Sequence, residues 1–329
     1  MMRWMAAVSA ALISVVLSVA PAAAADKVVL MLNWYVYGEH APFYYGKAKG
    51  IYAAENIDLE IQEGRGSAAT TQAVAAKTAD FGYVDVPTMM RAAVKGAPVI
   101  ATGVLLQTSP MSAMGFVEKN IRKPEDIKGK TVAITPADSM TQIWPLFLKK
   151  TGLKESDFQT VAGDGQTKLN AVINGQADLL LGYVMDQSMK IKDATGKDVY
   201  PIKFADYGIN MVSSGIVANT DYVKANADLV KRFMTATTKA VEAAEKDPKG
   251  AAQAILDANP KGGKIDTLTQ GFKLTIPLYR TAKDKRPFQV TDRNMNDTVN
   301  LMVEYGGLDA KAKENPKSFY TNEYLPKSD

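Results

Sequence analysis

Short, nearly continuous apolar runs alternate with longer amphipathic ones through the first two thirds of the chain. Lys27–Leu32 reads as a strand buried on both faces. A helix opening at Pro42 and closing at Gly50 follows it. Ile57, Leu59 and Ile61 alternate with Asp58, Glu60 and Gln62, the period of a strand with one wet face. Further on, 67–78 is expected to be helix, 80–84 strand, 87–95 helix and 99–106 strand. A second unit repeats the order: strand at 131–134, helix at 139–150 stopped by Gly152, strand at 160–162, helix at 166–174 and strand at 179–183. Such alternation predicts the α/β class, with parallel sheets covered by helices. After Ser214 the pattern turns helical, with one long amphipathic helix expected over 221–246 and a last one over 292–305.

One stretch echoes another. Ala73-Val74, then Ala79-Asp80-Phe81-Gly82-Tyr83-Val84-Asp85, matches Ala171-Val172, then Ala177-Asp178, Gly182-Tyr183-Val184 and Asp186. Each copy is a helix, a tight turn, a strand and a carboxylate at the strand's far end. Two similar lobes would each bring an Asp to the carboxyl edge of a sheet, where open α/β sheets bind ligands. Lobes facing each other make a cleft that can close on a small molecule.

The 329 residues include 39 Lys plus Arg, 35 Asp plus Glu, one histidine and no cysteine. Disulfides, thiolate metal sites and a cysteine nucleophile are therefore excluded. A single histidine, His40, rules out a multi-histidine zinc site. Residues 1–25 combine Arg3, an apolar run from Trp4 to Ala20, Pro21 and an alanine string, the pattern of a cleaved Sec signal peptide. Its removal leaves 38 basic against 35 acidic residues, too even a balance for a nucleic-acid partner. A periplasmic location and a monomer are expected, and no cofactor or metal is.

Candidate ligand contacts sit in the loops after the strands. Residues 33–52 concentrate aromatics, of which Phe43, Tyr44 and Tyr52 are expected in the core. Trp34, Tyr35 and Tyr37, in a polar loop, are expected to stack on a flat ligand. Trp144 either closes that sandwich from the other lobe or packs in the core. Glu39 and His40 follow the loop; His40 is a ligand contact, a general base or a histidine bonded to backbone. Gly64-Arg65-Gly66-Ser67 opens a helix whose free amides suit acceptor atoms, with Arg65 either solvated or facing a carboxylate. Asp85, Asp138, Asp164 and Asp186 each follow a strand, with Ser139 and Gln166 nearby, and Tyr183 is a further candidate to stack on the ligand. Aspartates at such places are helix caps or acceptors for ligand donors. With Glu39 they would repel a dianion.

The order of several stretches resembles periplasmic solute-binding proteins of ABC importers, in the family that groups sulfonate, nitrate and pyrimidine binders with thiamine-pyrimidine synthases. They are Leu32-Asn33-Trp34-Tyr35, Glu39-His40-Ala41, Ala48-Lys49-Gly50-Ile51-Tyr52, Ala79-Asp80-Phe81-Gly82, 128–133, 175–178, 221–223, 228–233 and 318–323. The resemblance implies a type II periplasmic-binding-protein fold: two α/β lobes, two crossovers near 111–117 and 212–217, lobe one as 26–113 plus 216–329 and lobe two as 114–215. It also implies permease and ATPase subunits as partners. Trp34-Tyr35 and Glu39-His40 look most like its pyrimidine-binding branch. Eukaryotic synthases of this family use cysteines with iron, and this chain has none. A binding protein and not an enzyme is therefore expected, delivering a flat, nitrogen-containing ligand to an importer. Two alternatives stay open: an aromatic carboxylate or sulfonate held by Arg65, and a pyrimidine- or menaquinone-pathway enzyme using His40.

Overall fold

The computed structural model describes residues 24–281 and 286–327. The proposed signal peptide lies almost wholly outside the described residues. Among them no helix is long and apolar enough to cross a membrane.

The first unit runs β1 (Asp26–Met31), α1 (Ala41–Ala48), β2 (Ile57–Gln62), α2 (Ser67–Ala75), β3 (Phe81–Asp85), α3 (Val86–Ala93) and β4 (Val99–Val104). The second runs β5 (Met111–Phe116), β6 (Thr131–Ile134), α4 (Ser139–Thr151), β7 (Gln159–Ala162), α5 (Gly165–Ile173), β8 (Leu179–Tyr183), α6 (Val184–Thr195) and β9 (Val199–Lys203). Then come β10 (Ser214–Asn219), α7 (Thr220–Ala225), α8 (Ala227–Lys246), α9 (Pro248–Ala258), α10 (Ile265–Thr275) and α11 (Asp292–Glu304).

Two five-stranded sheets result, ordered β2-β1-β3-β10-β4 and β7-β6-β8-β5-β9. Each defines a lobe. The chain passes from the first sheet to the second between Val104 and Met111, and back between Lys203 and Ser214. The echoed units are α2–β3 and α5–β8, and β3 and β8 hold the same third place in their sheets.

The alternation had predicted parallel sheets, but both sheets are mixed. β10 runs antiparallel to both β3 and β4, and β5 antiparallel to both β8 and β9. Both are buried along their whole length, but MSAMGF and SGIVAN have neither an unbroken apolar run nor a period-2 alternation, so their strand character was hidden. The expected single helix over 221–246 is broken at Asn226. There φ is −127° and ψ 38°, and the side-chain amide donates to the Tyr222 carbonyl at 3.0 Å. An Asn side chain that caps the preceding turn competes with continued helix.

Aromatic packing builds the core of each lobe. In lobe one Phe81 stacks on Phe233 of α8 at 3.9 Å between ring centroids. In lobe two Trp144 and Phe147 stack at 5.1 Å, and Phe147 and Phe204 at 4.3 Å. Burial of such rings is worth roughly 2–3 kcal/mol each.

Candidate functional site

The carboxyl edges of the two sheets face each other across a cavity of about 30 Å³, room for a water or two in this closed arrangement of the lobes. Lobe one contributes Asn33, Trp34 and Tyr37 from the loop after β1, and Gly66 and Ser67 from the start of α2. Lobe two contributes Asp138, Ser139 and Met140 at the start of α4, Lys168 of α5, Gly182 and Tyr183 at the end of β8, and Asp186 and Gln187 of α6. Gly66 has a φ of +114°, and its missing Cβ would stand 3.2 Å from the Ala137 carbonyl of the other lobe. Only glycine meets that turn and that approach together.

His40 shapes the aromatic loop from behind. It is fully buried, and its Nε2–H donates to Asn33 Oδ1 at 2.8 Å. Burial pushes its pKa down to about 3, so it is neutral. The ring stands edge-on to Tyr37 and Tyr83 and does not line the cavity, which corrects its reading as a ligand contact or base. Glu39 is likewise buried behind the wall. It accepts from the hydroxyls of Tyr37 and, at 2.6 Å, Tyr83. Burial outweighs these bonds and raises its pKa to about 7.

The carboxylates prove to have separate duties. Asp85, Asp138 and Asp164 are the N-caps of α3, α4 and α5, accepting from the amides of Thr88, Thr141 and Thr167. Asp164 is exposed and off the cavity, and Asp85 is buried behind it. Burial lifts Asp85 to about 6. Asp138 also accepts from the Lys168 ammonium at 3.0 Å. Asp186 accepts from the Tyr35 hydroxyl at 3.0 Å and from Gln187, and lies 3.2 Å from Lys190. The two carboxylates that do line the cavity are thus paired with lysines, and the expected acidic cleft is electrically balanced.

A chain of hydroxyls crosses between the lobes. Ser213 donates to Asp85 at 3.1 Å, Tyr183 stands 3.2 Å from Ser213, and Ser139 3.2 Å from Tyr183. Because Asp85 as a carboxylate can only accept, each proton in turn points toward it. Ser139 is left offering lone pairs to the cavity. Ser67 accepts from the Asp85 amide at 3.0 Å and keeps its own proton to donate.

Trp34 and Tyr35 are half-buried and tilted 50° to each other, 5.1 Å apart. Trp34 lines the cavity, whereas the Tyr35 ring lies under Lys190 at 3.5 Å outside it. Arg65 is exposed, off the cavity, and acts through its charge on Asp164. Trp144 does not close a sandwich; it sits in the lobe-two aromatic core against Phe147, Phe158 and Phe204.

Asn33, Lys168 and Gln187 escaped the sequence reading as site residues. For Lys168 a signal was there: it stands four residues before Val172 and beside Leu169, on the apolar stripe of α5.

Comparison with known proteins places these features. A family profile described as "NMT1/THI5 like" matches residues 38–251. A 4-amino-5-hydroxymethyl-2-methylpyrimidine phosphate synthase of Legionella pneumophila is 25% identical over 77% of this chain and 80% of its own. A riboflavin-binding protein of Chloroflexus aurantiacus is 23% identical over 92% of this chain and 86% of its own. The periplasmic aliphatic sulphonate-binding protein of Escherichia coli superimposes with a TM-score of 0.69 at 14% identity, covering 92% and 95% of the two chains. The two lobes are therefore a periplasmic-binding-protein fold. The expectation that the chain is not an enzyme is overturned by the synthase name of a relative that matches most of its length. Missing cysteines had argued against iron-dependent chemistry and nothing wider.

Proposed function

The chain belongs to the NMT1/THI5-like family, and on that premise we propose that it holds a small, flat, nitrogen-containing heteroaromatic molecule between its lobes. In this reading it is exported by residues 1–25, works in the periplasm and presents its ligand to the permease and ATPase subunits of an ABC importer. The observation that carries the proposal is the lining of the cavity. Trp34, Tyr37 and Tyr183 supply aromatic walls from both lobes, and Ser67 and Ser139 supply a donor and an acceptor. A planar heterocycle offers two faces to rings and an edge that both donates and accepts. A bare anion would meet Asp138 and Asp186, each already balanced by a lysine. Relatives named for a pyrimidine and for riboflavin support the same ligand class. A ligand that touches both lobes only when they meet shifts a pre-existing equilibrium toward the closed form. The permease would read that form.

Thermal melts of the chain lacking residues 1–25 test this. Aminopyrimidines or flavins at about 100 times Kd are expected to stabilise it by roughly 2.7 kcal/mol, seen as a rise in Tm of several degrees. Stabilisation by alkanesulfonates alone would overturn the reading.

A further inference from the structure

The least explained group in the cavity wall is Lys168. Its side chain is 2% exposed, and Asp138 Oδ2 at 3.0 Å is its one hydrogen-bond acceptor among the described residues. The Trp34 ring, from the opposite lobe, lies 5.5 Å from the ammonium. An ammonium carries three donors, and burying one with two of them unmet is costly. Asp138 meets only one of the three, through Oδ2, while its other oxygen accepts the Thr141 amide at 2.7 Å. A purely structural ion pair would not need to face a cavity, and Lys168 faces this one.

We infer that Lys168 is the specificity-determining donor of the site, giving a hydrogen bond to a ring nitrogen or carbonyl oxygen of an uncharged ligand that lies against Trp34. The inference rests on the reading that a flat heterocycle occupies the cavity. Asp138 cancels the lysine's charge, so the donor remains while the pull on an anion does not. The cation–π contact of Lys168 with Trp34 joins the lobes. Lys168 therefore meets a ligand acceptor within the closed arrangement of the lobes, where solvent competes least.

The test pairs a ligand atom with a residue. Affinities of 4-amino-2-methylpyrimidine and 3-methylaniline, the same shape without ring nitrogens, are measured on the wild type, on Lys168→Met and on the double variant Asp138→Asn/Lys168→Met. The double variant leaves no uncompensated buried charge, and Asn keeps the helix cap. The wild type is expected to prefer the pyrimidine by about tenfold or more. Both variants are expected to lose most of that preference, a loss of discrimination that a merely structural lysine would not produce. Persistence of the preference in both variants overturns the inference and leaves the heterocycle reading standing. Tighter binding of benzenesulfonate than of the pyrimidine by the wild type overturns the uncharged-ligand assignment. Failure of the wild type to bind either ring removes the heterocycle reading and this inference with it.

Discussion

Glu39 and His40 are neighbours in the chain, both fully buried, and burial moves them in opposite directions, to about 7 and about 3. Each is held neutral by the same loss of water. Between pH ~4.5 and ~6.5 the unfolded chain holds a proton on the histidine and none on the glutamate, while the folded protein holds the reverse. The pair therefore binds one proton in either state and leaves stability level across that window. In Glu39→Gln only the histidine remains, the unfolded state binds more protons, and stability should rise with pH by up to ~1.4 kcal/mol per unit relative to wild type. In His40→Asn the glutamate remains and the slope should reverse. Urea melts at three pH values in the window check this, and parallel profiles for all three proteins would refute it. The aromatic loop that these two residues support stood out in the sequence as aromatics in a polar loop, and the structure sets Trp34 and Tyr37 in the cavity wall and Tyr35 outside it. Their own burial was not legible: adjacent polar residues beside a glycine look solvated until the Asn33 and Tyr83 partners are known.

The helix starts show how much an element can hide. Three aspartates placed after three strands were readable both as ligand acceptors and as caps, and all three turn out to cap. Chain position alone cannot separate the two roles, since both occur at the carboxyl edge of a sheet. Asp164, exposed and off the cavity, isolates the capping role. Asp164→Ala should cost about 1 kcal/mol, Asp164→Asn only a few tenths, and neither should change ligand affinity. A large loss of affinity in either variant would put Asp164 back in the site. The strands divide in a similar way. Those with alternating or β-branched runs, such as β1, β2 and β6, were found within a residue or so. β5 and β10, which lie inside their sheets, were missed because Met, Ser, Gly, Ala and Asn hold most of their buried positions, leaving Phe116, Ile216 and Val217 too short a signal.

At the scale of the whole molecule the lobes touch through a handful of side chains. Tyr35 bonds Asp186, Arg91 donates to the Gln142 carbonyl at 2.9 Å, and Lys264 meets Asp193 at 2.7 Å. Gly165, at the start of α5, shows how close the approach is. A Cβ there would stand 2.7 Å from the Trp34 ring and 2.8 Å from that of Tyr35. Gly165→Val should wedge the lobes apart without disturbing either core, weakening ligand binding by about tenfold or more. X-ray scattering should then show no compaction on adding ligand, and wild-type compaction would refute the wedge. The placement of the tryptophans gives the protein an optical readout of its own. With Trp4 in the proposed leader, Trp34 and Trp144 are the only indoles left. One lies in the cavity wall and the other in a packed aromatic core. Emission from the core indole is a steady background, and any quenching or spectral shift on titration comes from Trp34 alone. Binding can thus be followed without a label, with Trp34→Phe as its silent control.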